Sequence, residues 1–157
     1  MDETTYIAVS EQYMPSLYRA AYSIVQNRHD AEDAVQQALL NAWKGREKAR
    51  DGAERAWMMR IVINECYNIL RQRKRTVPAQ DALEKADAPV QQADPALYDA
   101  ISALPENLRT PFLLKYMEGM SEKEVAAALR LPLPSVKNRL FRARKKLQIE
   151  LKEEVGV

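Results

Sequence analysis

The chain has 157 residues, room for one ordinary domain or two small ones, with 46% hydrophobic residues, 29% charged residues and a net charge of +2. A single cysteine, Cys66, and a single histidine, His29, exclude an internal disulfide framework and a cysteine/histidine zinc cluster. No apolar leader opens the chain and no run approaches the ~18 apolar residues of a membrane span, so it reads as cytoplasmic and not itself membrane-inserted.

Only four glycines are present, helix formers dominate, and no stretch alternates with period two. The expected fold is therefore all-α. In chain order, Glu3 to Val25 places Tyr6, Val9, Tyr13, Leu17, Ala20, Ala21 and Ile24 at helical steps, and Gln26–His29 reads as a turn. Asp30 then looks like an N-cap, with Asp33 completing an acidic first turn. The helix that follows carries Ala34, Val35, Ala38, Leu39, Ala42 and Trp43 inward. Lys44 to Arg55 is a polar connection with Gly45 and Gly52 and room for a short helix.

The next helix, "WMMRIVINECYNILRQRKR", is two-sided. Met58, Val62, Cys66 and Ile69 form an apolar stripe, while Arg60, Asn64, Asn68, Arg71 and Arg75 form an amide-plus-guanidinium stripe. Beyond Thr76 the pattern collapses. Pro78, Pro89 and Pro95 punctuate an Ala/Asp/Gln-rich stretch with room for one short helix around Asp81–Lys85, and residues 77–95 read as a flexible tether. Fully extended, such a tether reaches up to ~65–70 Å, so two lobes could act at separate places on one large ligand.

The second lobe, residues 96–157, opens with Leu97, Ile101 and Leu104 on one helix. Pro105 and Glu106 start another, with Leu108, Phe112, Leu113, Tyr116 and Met117 as its expected face and Gly119 as its stop. Ser121 and Glu124 form a capping box before a short helix ending near Leu129. Leu131-Pro-Leu-Pro134 makes a turn, and a last helix begins at Pro134 or Ser135 and reaches about Lys152.

Two helices joined by a tight turn, the second strongly basic, is a helix-turn-helix pattern. Residues 125–149 carry seven Lys or Arg and no acid, whereas residues 76–102 carry five acids against Lys85 alone. That asymmetry fits a polyanion-binding face beside an acidic linker. Val136, Leu140, Ala143 and Leu147 form the inward stripe of the last helix, and Lys137, Asn138, Phe141, Arg142 and Lys145 the outward one. Lys, Arg and Asn there suit guanine and adenine edges, and Phe141 either meets a thymine methyl or packs on the neighbouring helix. Arg139, Arg144, Lys145 and Lys146 suit phosphates, which position without specifying. No phosphate loop, metal cluster or nucleophile–base pair is visible, so an enzyme is discounted, with no cofactor and no small-molecule substrate expected.

"SEKEVAAALRLPLPSVKNRLFRARKKL" resembles region 4 of the bacterial extracytoplasmic-function (ECF) sigma factors of the sigma-70 family, and "DAEDAVQQALLNAWK" with "WMMRIVINECYNILRQRK" resembles their region 2. The resemblance covers nearly the whole chain in the family's order. It implies two small helical domains, region 2 over residues 1–76 and region 4 over 96–157, and a dissociable subunit that directs core RNA polymerase to promoters. By position, Asp33, Gln36, Gln37 and Leu40 match the surface that docks on the clamp helices of the polymerase β′ subunit. Trp57, Arg60 and Asn64, with Asn68 and the Arg71–Arg75 end, match the surface that takes the minus-ten element. Ser135, Lys137, Asn138, Arg139, Phe141, Arg142, Arg144 and Lys145 match the minus-thirty-five reader, and the second lobe would also touch the polymerase β flap. Family members are commonly held by an anti-sigma factor. Two departures stand out: Arg130 occupies a turn position where the family has glycine, one that often needs positive φ, and Pro134 replaces another. The competing reading is a stand-alone helix-turn-helix regulator, which would bind a two-fold symmetric duplex without polymerase.

Overall fold

The computed structural model describes residues 1–76 and 95–155; of residues 75, 76, 95, 98 and 150–155 only the backbone course is described. The expected tether, Pro95 apart, therefore lies outside the described residues, as do the side chain of Arg75 and the helix expected around Asp81–Lys85. All regular structure among the described residues is helical: α1 (Glu3–Val25), α2 (Arg28–Lys44), a 3-10 turn at Arg46–Lys48, α3 (Glu54–Thr76), α4 (Pro95–Ser102), α5 (Glu106–Tyr116), α6 (Glu122–Leu129) and α7 (Leu133–Val155).

Local chemistry sets most of the boundaries. The Asp2 side chain accepts from the Thr5 amide at 2.8 Å to start α1, and Gln26, left-handed at φ 52°, ends it. The start of α2 differs from expectation. Asn27 is the cap, its side-chain oxygen accepting from the Asp30 amide at 2.9 Å, so the helix begins three residues earlier than Asp30 suggested. Asp30 is instead spent on a tertiary contact, taking the Arg73 guanidinium of α3. Ser121 and Glu124 form the expected reciprocal capping box, at 3.1 and 3.0 Å, and Gly119 turns the chain at φ 68°. Arg130 ends α6 in the left-handed region at φ 56°, the conformation that a glycine at this position would adopt without strain.

Helices α1, α2 and α3 pack as a three-helix unit around Leu17, Ala21, Val25, Ala34, Ala38, Met58, Val62 and Cys66. Small residues on α2 let the helices approach closely, and methionines on α3 fill the gaps. In the second lobe, α4, α5 and α7 enclose a smaller cluster of Ala100, Ile101, Leu104, Leu108, Ala143 and Leu147. The inward stripe of α7 is as the periodicity predicts, with Val136, Leu140, Ala143 and Leu147 all buried. That of α5 is not. Arg109, Thr110, Pro111 and Leu114 join Leu108 inside, Phe112 and Leu113 are half-buried, and Tyr116 and Met117 face outward.

The lobes are not apart. Leu114, Met120, Val125, Ala128, Val136 and Leu140 of the second lobe belong to the same buried cluster as the α1–α3 core. Polar ties cross the same boundary. Glu118, buried at the end of α5, accepts Arg19 of α1 through both carboxylate oxygens at 2.7 and 2.5 Å, and its backbone carbonyl accepts from Arg55 of α3. Buried Arg109 donates to the Ser23 carbonyl of α1 at 2.7 Å and to the Leu104 carbonyl at 2.8 Å.

Candidate nucleic-acid and partner interface

Three surfaces gather the residues singled out in the sequence. On α2, Asp33, Gln36, Gln37 and Leu40 are all exposed along one side. Leu40 is 56% exposed among polar neighbours, and Gln37 donates to Asn41 at 3.2 Å, which orders this edge. A leucine held out on a polar helix face suits a partner that supplies the missing apolar contact.

On α3 the apolar stripe anchors the helix: Met58, Val62 and Cys66 are buried and Ile69 half-buried. The Cys66 thiol is pushed up to about 12, by burial first and then by the nearby Glu65 and Glu106 carboxylates, so it stays neutral inside the core. Opposite, Asn64, Asn68 and Arg71 are exposed, and Arg71 donates to the Asn68 side chain. Trp57 and Asn64 share the wall of an open hollow of about 280 Å³ with Asn41, Gly45, Lys48, Ile61 and Glu65. An indole wall, an amide and a lysine around such a volume are suited to stacking, edge recognition and phosphate contact with an unpaired base. Two cations of this helix are placed differently. Arg60 is half-buried beside the second lobe, and its guanidinium is held below its ordinary value by burial and then by the Arg130 charge. Arg73, inside the basic run, turns inward to Asp30 and to the Val25 carbonyl at 3.0 Å, a structural clamp between α1, α2 and α3.

On α7, Lys137, Asn138, Phe141, Arg142 and Lys145 are all exposed. Phe141 is 53% exposed, with the Lys145 ammonium 5.4 Å from its ring centroid, so much of the aromatic side chain stays open to solvent. Ser135 is half-buried. Arg139 is half-buried too and donates to the Asn107 carbonyl at 3.4 Å, while Arg144 donates to the Tyr116 hydroxyl at 2.7 Å. These two cations are steadied by α5, while Lys137, Arg142 and Lys145 are exposed on the outer face of the second helix of a helix-turn-helix.

The Sigma-70 region 2 family matches residues 9–76 and the Sigma-70, region 4 family residues 95–147. The ECF RNA polymerase sigma factor SigM of Mycobacterium tuberculosis (strain H37Rv) is 35% identical over 135 residues, covering 83% of this chain and 69% of SigM. This chain belongs to the ECF sigma factors. The ECF sigma-E factor of Escherichia coli K12 is 30% identical over 73% of the chain and 70% of its own length. SigE of Mycolicibacterium smegmatis is 28% identical over 87% of the chain, which spans only 58% of SigE. Two solved structures share the fold over both lobes. The sigma factor RpoE of Bartonella quintana, crystallised with the anti-sigma factor NepR, gives a TM-score of 0.79 at 28% identity, covering 94% of this chain and 97% of that one. CnrH, in complex with the cytosolic domain of CnrY, gives 0.72 at 27% identity, covering 97% and 90%.

Sequence reasoning missed several residues of this sigma factor's surfaces. Asn41, Lys48, Ile61 and Glu65 line the hollow beside Trp57, and Asn41 donates to Glu65 at 2.9 Å across the two helices. The i+4 and i+8 relation of Ile61 and Glu65 to Trp57 was a usable signal; the contribution from α2 and the 3-10 turn was not, because it depends on how the connection folds back. Trp43, expected inside, is half-buried, with the Arg46 guanidinium 3.8 Å above its ring and Tyr6 edge-on at 5.1 Å.

Proposed function

We propose that this chain is a promoter-specificity subunit: it docks on core RNA polymerase, recognises a two-part promoter and starts transcription there, without catalysing a reaction itself. In this reading residues 1–76 form the region 2 module, 77–95 the tether and 96–157 the region 4 module. Asp33, Gln36, Gln37 and Leu40 meet the β′ clamp helices. Trp57, Arg60, Asn64, Asn68, Arg71 and Arg75 take the minus-ten strand once it is exposed. Ser135, Lys137, Asn138, Arg139, Phe141, Arg142, Arg144 and Lys145 face the minus-thirty-five duplex, and the second lobe also meets the β flap. An anti-sigma factor is the regulatory partner to expect, because NepR and CnrY accompany the two structural relatives. The observation that carries the reading is the pairing of two different DNA surfaces in one chain. A hollow walled by Trp57 and Asn64 fits an unstacked base, and the basic outer face of α7 fits a major groove.

Both modes are needed by a protein that finds duplex DNA and then holds it open. The test is open-complex formation by core polymerase with this chain, followed through permanganate reactivity of minus-ten thymines. Asn64→Ala should lower open-complex yield by about five- to a hundredfold, in line with ~1–3 kcal/mol for a base edge recognised by an amide, while co-elution with core polymerase is unchanged. Loss of co-elution in Asn64→Ala would show that the helix face serves the polymerase or the fold and not the DNA strand. Specific binding to a symmetric duplex without polymerase would favour a stand-alone regulator instead.

A further inference from the structure

The hollow beside Trp57 carries one group for which a polyanion site has no general use. Its wall is built from two helices and the turn between them: Asn41 near the end of α2, Lys48 in the 3-10 turn, and Trp57, Ile61, Asn64 and Glu65 on α3. Trp57, Ile61 and Asn64 suit stacking and edge contact with an unpaired base, and Lys48 suits a phosphate. Glu65 suits neither. An ionised carboxylate repels phosphate and accepts hydrogen bonds without donating any, so in such a place it weakens the binding of DNA in general.

Glu65 is nevertheless fixed at this wall. It is half-buried, and its Oε1 accepts from Asn41 Nδ2 at 2.9 Å across the two helices. Asn41 is fixed in turn, because its Oδ1 accepts from Gln37 Nε2 at 3.2 Å. With its oxygen towards Gln37 and its nitrogen towards Glu65, the Asn41 amide has one orientation, and that orientation steers the carboxylate. Glu65 Oε2 has no hydrogen-bond partner among the described residues. It is a single acceptor on the same wall as the exposed Asn64 amide, which offers both a donor and an acceptor.

Bases differ in what they show to such a pair. Cytosine N4 and adenine N6 are amino donors beside a ring nitrogen that accepts, whereas thymine O4 and guanine O6 are acceptors at the same place. A carboxylate oxygen takes the amino group and repels the carbonyl oxygen. Guanine also carries two donors side by side on its pairing edge, but meeting both calls for two open carboxylate oxygens, and Asn41 already occupies one. We propose that Glu65 is the specificity-determining residue of this hollow: its Oε2 accepts the exocyclic amine of an unpaired cytosine or adenine and excludes thymine and guanine. This inference rests on the promoter-specificity reading above and names the class of base that the Trp57–Asn64 hollow selects. The repulsion that Glu65 adds for any strand is offset only when the right base supplies the missing donor, which converts a general cost into discrimination.

The test uses a promoter recovered by run-off transcription with this chain, its minus-ten block randomised and the rest of the template fixed. Open complexes formed with core polymerase are isolated and their DNA is sequenced. With the unmodified chain, one position should favour cytosine or adenine over thymine and guanine by about fivefold or more, the low end of what a matched base-edge contact is worth. Glu65→Gln, whose amide can also donate, should erase that preference at the same position and admit thymine and guanine. Glu65→Ala should leave the position indifferent, and in both variants the preferences elsewhere in the block should keep their order. Circular dichroism and co-elution with core polymerase show that each variant is folded and docked. If the unmodified chain favours thymine or guanine at every selective position, or if the variants keep its ranking of bases throughout, Glu65 does not read the base and the proposal falls alone. An unmodified chain that forms no open complex with core polymerase on any template overturns the promoter-specificity reading and the proposal with it.

Discussion

Replacing Arg130 with glycine should stabilise the protein, a result that looks perverse for a substitution deleting a long side chain from a helix end. Arg130 sits at φ 56°, where the Cβ of an L-residue crowds its own backbone. That conformation costs roughly 1–2 kcal/mol. Glycine adopts it freely but surrenders about 0.5–1 kcal/mol of unfolded-chain entropy. The difference favours Arg130→Gly by about 0.5–1 kcal/mol. Relief of the repulsion with Arg60 acts in the same direction, though the exposure of Arg130 keeps that part small. Arg130→Ala separates the two causes, because it removes the charge and keeps the Cβ. For a chain of this length, 1 kcal/mol moves Tm by about 2–4 °C, so Arg130→Gly should melt about 1–4 °C above both wild type and Arg130→Ala. Thermal unfolding followed by circular dichroism, repeated at low and high salt, reads all three. Equal melting of the glycine and alanine variants would refute the strain argument. A salt-dependent gain in both would move the credit to electrostatics.

Cys66 should resist thiol reagents in the folded chain and react only on unfolding, since it is fully buried and its thiol is pushed up to about 12. Because the folded state holds that proton more tightly than the unfolded state, the associated stability is complete below the ordinary thiol value of 9.0 and drains as pH rises towards 12. The phenol of Tyr67, raised by burial first and then by its hydrogen bond to Glu106, acts with the same sign above its ordinary value of 10.0. Urea midpoints should therefore fall between pH 9 and pH 11, and Cys66→Ala should flatten the first part of that fall; a flat wild-type profile would contradict the assignment. Arg142→Ala should cost ~1–3 kcal/mol in binding to the upstream element and relax preference at one base. Uniform weakening across sequences in a binding-site selection would demote Arg142 to a phosphate contact.

How much of this was legible in the sequence depended on the range of the interactions involved. Helix α1 and the inward stripe of α7 follow from periodicity, and the capping box at Ser121 and Glu124 from a local motif, because the forces concerned act within one or two turns. Asn27 displaced Asp30 as the cap of α2 because Asp30 is claimed by Arg73, more than forty residues away, a competition that no local pattern records. The burial of Arg109 and Glu118 has no local signal for the same reason. Their partners Ser23 and Arg19 lie on another helix, and only the packing of the lobes creates the need for them. The face of α5 was misjudged with them: once Arg109 points inward to tie α1 to the α4–α5 corner, Tyr116 and Met117 rotate to the outside. The candidate DNA residues on α3 and α7 were legible because they are the polar complement of two clear apolar stripes. Arg60 of the polar stripe on α3 and Arg139 of the phosphate set on α7 sit at the boundary with other helices, half-buried, which periodicity does not show.

Run-off transcription on a genomic fragment library, with purified core polymerase and this chain as the sole specificity subunit, shows whether the chain directs initiation at promoters. Discrete transcripts are expected, with start sites that share two sequence blocks at minus ten and minus thirty-five. Asn64→Ala and Arg142→Ala should each suppress them while still co-eluting with polymerase. Transcripts indistinguishable from those of core polymerase alone, with no stable complex formed, would contradict that role.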